Sequence, residues 1–164
     1  VERLCSGALD AKELRERTLP ELRRAVPFDG HVWVLTDAVT RVGTSPLADV
    51  PGVSWAELPG LILARYLSRG TRWTDLLASG CAVRALSAAV DGGAAAWRRT
   101  DVVDVLTAVF ADRFGCWAWL DLWRTTGSPF NSNERDAIAS VVPTLTTALR
   151  TAQAATFTTA PPAT

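Results

Sequence analysis

Three observations predict an α+β fold in which helices cover an antiparallel sheet. Residues 101–126 read as two long strands joined by a tight turn. Both ends of the chain carry apolar residues at helical spacing. A second β run, 31–44, lies between the first helical region and a mostly helical stretch over 47–100.

The elements follow in order. Leu9 to Arg17 is rich in helix formers, and Glu13 and Arg17 stand four apart. Thr18 and Glu21 have the spacing of a capping box with Pro20 between them, which predicts a fresh helix start at Thr18. Leu22 and Val26 supply its apolar stripe, and Pro27 ends it. His31 to Thr36 is a β-branched and aromatic run that reads as a strand buried on both faces. Thr40 to Thr44 is expected to pair with it and to stop at Ser45 and Pro46. Ser54 and Glu57 form a second capping box, and Trp55, Leu58, Leu61, Ile62, Arg65 and Leu67 follow at helical spacing. Trp73–Ala78 and Cys81–Val90 are shorter helical candidates, and Asp91–Gly93 is a break.

Val102–Ala111 and Cys116–Arg124 are the long strands, with Gly115 serving the turn. Strict alternation puts Trp117, Trp119, Asp121 and Trp123 on one face, and Cys116, Ala118, Leu120 and Leu122 on the other. Asn131 and Glu134 cap a last helix whose stripe is Ile138, Val142, Leu145, Leu149 and Ala152, with a kink expected at Pro143. Residues 1–155 read as one domain. Residues 156–164, rich in Thr, Ala and Pro, read as a linker.

Composition excludes several classes. The 164 residues are 48% hydrophobic and 21% charged, which is globular. Seventeen basic and seventeen acidic residues balance, so the segment lacks the basic footprint that grips nucleic acid by itself. No apolar run approaches a membrane span, and no secretory leader is evident. Cys5, Cys81 and Cys116 are few and widely spaced, as reduced thiols of a cytoplasmic protein would be. A start at Val1 with no Met anywhere in the chain reads as an excised piece of a longer protein.

The order of segments resembles GAF-like N-terminal sensor domains of actinobacterial LuxR-type transcriptional regulators. The matching runs are 14–30, Trp33–Asp37, Ser45–Asp49, Phe110–Trp123 and Pro129–Glu134. The resemblance implies a GAF-like, PAS-like central antiparallel sheet. Terminal helices lie on one face, often as a homodimer interface, and a helical insert covers a small-molecule pocket on the other. It also implies a helix-turn-helix module beyond Thr164, through which alone DNA would be bound.

Chemistry-bearing residues are sparse. His31 is the only imidazole and stands at a strand start, so a structural role outweighs that of a haem ligand. No Cys or His spacing fits a metal, and no Gly-rich phosphate loop occurs. Cys81 lacks the following His of a bilin attachment site, and it reads as a buried small residue. Asp121 falls between Trp119 and Trp123 on its face, where a lone carboxylate is costly. Either an Arg partner (Arg113 or Arg41) or a ligand accounts for it. The seven Trp suit pocket walls as well as a packed core.

The expected ligand-binding positions are Trp33, Leu35, Trp73, Trp97, Trp119 and Asp121, with no catalytic residue, no metal and no cofactor. The expected function is non-enzymatic: sensing of a small molecule that modulates an attached DNA-binding module. A ligand-free dimerisation module is the alternative. A methionine-sulfoxide reductase on the same fold would need clustered thiols, which three scattered cysteines do not offer.

Overall fold

The computed structural model describes residues 1–7, 9–50, 52–54, 56–67, 70, 72–88 and 101–158. Trp55, Trp97, the break at 91–93 and most of the 156–164 linker lie outside the described residues.

Helix α1 (Glu2–Cys5) leads into α2 (Ala11–Ala25). Asp10 caps α2, its Oδ1 accepting from the backbone N–H of Lys12 at 2.9 Å and of Glu13 at 2.8 Å. The helix runs unbroken through Thr18 and Pro20, so Thr18 is not a helix start. Thr18, Leu19 and Leu22 are buried, and that packing outweighs the backbone hydrogen bond lost at Pro20. Glu21 pairs instead with Arg24.

Strand β1 (Gly30–Thr36) pairs antiparallel with β2 (Gly43–Asp49). The second strand does not stop at Ser45 and Pro46. Trp33 pairs with Leu47 and Leu35 with Thr44, so Ser45 and Pro46 together oppose Val34 as a bulge. A bulge on an edge strand accommodates a proline that has no N–H to give. Arg15, 3% exposed on α2, donates from Nη1 to the carbonyls of Trp33 at 3.0 Å and Ser45 at 2.7 Å, satisfying oxygens at the irregularity.

Helices α3 (Leu58–Leu67) and α4 (Trp73–Ser79) follow, with Ser54 N–H and Oγ both donating to Glu57 Oε2 ahead of α3. The helix expected over 81–90 is absent from its described part. Val83–Ala85 is strand β3, and Leu86–Ala88 is a 3-10 turn. Pairing with the free edge of β4, Val83 to Ala108 and Ala85 to Leu106, outweighs local helix propensity.

β4 (Asp104–Asp112) and β5 (Gly115–Arg124) form the long hairpin, and the sheet order is β2-β1-β5-β4-β3, antiparallel throughout. Phe110 pairs with Ala118 but Ala111 with Cys116, leaving Trp117 as an extra residue. That bulge corrects the simple alternation. Cys116 joins Trp119 on one face, and Trp117 packs toward the other. At the turn, Gly115 has φ 152°, and a Cβ there would stand 2.6 Å from the Ala38 carbonyl oxygen.

Helix α5 (Ser132–Thr158) closes the fold, with Pro143 inside it. Asn131 Oδ1 accepts from Glu134 N–H, and Glu134 Oε2 accepts from Asn131 N–H, a completed capping box. Ile138, Val142, Leu145, Leu149 and Ala152 are all buried against Leu14 and Leu22 of α2 and against Leu106, Phe110, Leu120 and Leu122 of the sheet. Each fully buried Leu or Ile stabilises the fold by roughly 1.5–3 kcal/mol. The main core therefore lies between the sheet and the terminal helices, and the opposite face is left for α3 and α4.

Candidate functional site

Register builds the insert-facing side of the sheet. Val32 pairs with Asp121 and Val34 with Trp119, while Thr107 pairs with Asp121 and Val109 with Trp119. These side chains share one face because each pair is directly opposed across an antiparallel ladder. Trp73 and Leu76 of α4 pack on Val34, Val109, Cys116 and Trp119. Leu61 of α3 packs on Val105 and Trp123.

Between these two apolar clusters lies a buried polar network. Arg65 of α3 is 5% exposed and Asp121 is 1% exposed. Arg65 donates from Nε to Asp121 Oδ2, and from Nη2 to Asp121 Oδ1 at 3.0 Å. Thr107 Oγ1 donates to Asp121 Oδ1 at 2.6 Å and accepts from Arg65 Nη2 at 3.1 Å. The expected Arg partner of Asp121 therefore exists, but it is Arg65 rather than Arg113 or Arg41. A charge pair this deep persists because both members are paired and hydrogen-bonded.

Aromatic rings flank the network. Trp73 stacks on Trp119 with centroids 5.2 Å apart and planes 14° apart. Tyr66, half exposed on α3, meets Trp73 edge-on at 5.4 Å. The Arg65 guanidinium carbon lies 5.7 Å from the Trp119 ring centroid. Tyr66, Trp73 and Trp119 thus form a row from solvent to the sheet. The indole nitrogens of Trp73 and Trp119 are buried without a hydrogen-bond partner among the described residues. An unsatisfied buried donor costs roughly 1–3 kcal/mol; the Trp33 indole in the opposite core shares that state, so it is the place of Trp73 and Trp119 beside the Arg65–Asp121 network that makes these two the functional candidates.

The six expected ligand-binding positions do not converge. Trp73, Trp119 and Asp121 meet on the insert-facing side. Trp33 and Leu35 belong to the other side: Trp33 is fully buried, stacks on Phe110 at 5.4 Å and lies in the core beneath the terminal helices. The bulge at Ser45 and Pro46 sits beside this stretch, and the phase of β1 gives its even-numbered residues, Val32 and Val34, to the insert. Trp97 lies outside the described residues. Arg65, Thr107 and Tyr66 were missed. Only the helical spacing of 58–67 hinted at Arg65, as a charged residue following Leu58, Leu61 and Ile62 on an apolar helix.

Concavities among the described residues lie away from this face. A groove of about 760 Å³ runs between α1, α2 and α5, lined by Leu4, Cys5, Leu9, Leu14, Ala148 and Ala152 among others. A smaller one of about 350 Å³ reaches His31 beside Glu16, Arg23 and Asp49. His31 is 8% exposed, burial pushes its pKa down, and its Nδ1 has no partner among the described residues. Cys116 is buried and burial pushes its thiol up, while Cys5 and Cys81 are half-buried and unpaired. Among the described residues no group of three or more His, Cys, Asp or Glu is placed to hold a metal ion. No described helix is long and apolar enough to cross a membrane.

No protein-family model and no curated protein matches the sequence. Solved structures do match the fold. The photoproduct state of GAF3 from Slr1393 of Synechocystis sp. PCC6803 superposes with TM-score 0.60 at 14% identity, covering 92% of this chain and 100% of that one. The VqsR LBD domain from Pseudomonas aeruginosa superposes with TM-score 0.52 at 13% identity, covering 84% of this chain and 85% of that one. The five-stranded antiparallel sheet with helices on both faces is a GAF-like α+β fold.

Proposed function

We propose that this chain is a small-molecule-sensing regulatory domain whose ligand lies between the sheet and the α3–α4 insert. The observation that carries this reading is the pair of buried, unpartnered indole donors, Trp73 and Trp119, beside the Arg65–Asp121 network. The likeness to a GAF domain and to an LBD domain supports it at the level of fold. In this reading the domain is cytoplasmic and non-enzymatic, and belongs to a LuxR-type regulator. Ligand binding orders the insert, and the shift reaches an attached DNA-binding module through α5.

The same reading includes a homodimer through the terminal helices. The groove between α1, α2 and α5 supports it: an apolar floor of Leu4, Leu9 and Leu14 lies beside the small residues Ala148, Thr151 and Ala152, which allow close helix approach. A ligand-free interaction module is the second reading. It is favoured by the outer side of α3, where Ile62, Leu63, Tyr66 and Leu67 are all about half exposed or more.

Native mass spectrometry of the chain, purified from cells without denaturation, separates the two. The sensor reading expects a retained molecule that is released on unfolding and raises the thermal midpoint when added back. The interaction reading expects a bare chain whose midpoint is unchanged by small-molecule extracts of the host.

A further inference from the structure

The chemistry around Trp73 and Trp119 narrows the ligand class, granted the sensor reading above. We propose that the ligand is a neutral, planar molecule that presents carbonyl-type acceptors to the indole N–H groups of these two residues.

Hydrogen-bond inventory carries the argument. The unmet groups of the site are donors: Trp73 and Trp119 each have a buried N–H without an acceptor among the described residues. Most of the carboxylate's acceptor capacity is already used. Asp121 Oδ1 takes the Thr107 hydroxyl and Arg65 Nη2, and Oδ2 takes Arg65 Nε. An amine or amidine ligand would therefore bring donors to a site short of acceptors. It would also meet the Arg65 guanidinium already standing 5.7 Å from the Trp119 ring, the face on which an aromatic cage would bind a cation.

An anion fares little better. The charge of Arg65 is neutralised by Asp121 in a bidentate pair, both side chains being at least nine-tenths buried. A second carboxylate would be buried beside Asp121 without a countercharge of its own. A neutral acceptor satisfies the indoles at no such cost.

Shape points the same way. Trp73 and Trp119 stack within 14° of parallel, so a flat ring laid along the same planes matches their orientation, and Tyr66 stands edge-on to Trp73 at the solvent end of the row.

The test uses the whole chain labelled with ¹⁵N, its indole resonances assigned from Trp73→Phe and Trp119→Phe. Coumarin, benzoate and benzamidine serve as neutral, anionic and cationic planar probes. At millimolar concentration coumarin is expected to move the Trp73 and Trp119 indole N–H signals downfield, with at least tenfold weaker responses to benzoate and benzamidine. Circular dichroism confirms that each variant folds. Silent indoles with coumarin, or a stronger response to either charged probe, overturn the proposal. A cell-derived molecule that is retained while both indole signals stay unmoved overturns the acceptor assignment and spares the sensor reading. Silent indoles together with a bare chain from cells overturn both.

Discussion

Thr107 and Asp121 stand directly opposite each other on β4 and β5, and the Thr107 hydroxyl donates to Asp121 Oδ1 at 2.6 Å. This contact orients the carboxylate so that Arg65 of α3 can take both of its oxygens. The network is thus a polar attachment of the insert to the sheet, set between two apolar clusters.

Breaking that attachment from one side leaves a buried charge without its partner. Asp121→Leu alone and Arg65→Met alone are each expected to cost about 3–5 kcal/mol in urea denaturation. The double variant, with both charges replaced by apolar groups, is expected to cost much less than the sum of the two. Additive losses would show that the pair does not interact as described.

Arg15 ties α2 to the irregular pairing of β1 and β2 through the carbonyls of Trp33 and Ser45. Arg15→Met removes the donor to both oxygens and is expected to destabilise the fold by roughly 2–4 kcal/mol. Arg15→Lys recovers only part, because one ammonium does not reproduce the fixed fork of a guanidinium. Equilibrium urea denaturation of the two variants checks this order.

His31 gives stability a pH dependence of definite sign. Burial holds its pKa below the ordinary 6.5; Asp49 opposes the shift and Arg23 adds to it. The unfolded chain takes up the proton first, so the contribution is complete above about 6.5 and is lost as pH falls toward the lower folded value. The urea midpoint is expected to fall between pH 7.5 and 5.5 and to flatten in His31→Gln. That window stays clear of Asp29, held below 3.8 chiefly by the Thr125 N–H, and of Glu134, held below 4.5 chiefly by its hydrogen bond from Arg124.

Gly115 sits against the β1–β2 turn with no room for a Cβ beside the Ala38 carbonyl. Gly115→Ala is expected to cost about 1–3 kcal/mol, because the obstacle is backbone and both turns must shift. Gly127→Ala offers a control with positive φ but open space, and its loss should be smaller in the same thermal denaturation.

Much of this architecture was legible in the sequence. The β4–β5 hairpin, the Asn131–Glu134 cap and the Ile138–Ala152 stripe each rest on strong local periodicity, and all three stand in the structure. What escaped was set by contacts distant in sequence. β3 is three residues long and exists because β4 offers an open edge. Arg65 meets Asp121 across 56 positions, so no window around either residue could reveal the pair. β1 is apolar on both faces, and such a run does not say which side Trp33 takes. The bulges at Ser45–Pro46 and Trp117 shift the phase of alternation, which strict counting cannot foresee.

The central claim is that a small molecule is held on the Trp119 side of the sheet. Native mass spectra of the wild-type chain and of Trp119→Phe, purified side by side, test it most directly. The account predicts a stoichiometric adduct on the wild type and a markedly lower occupancy on a folded Trp119→Phe. A bare wild type, or equal occupancy in the two, would contradict it.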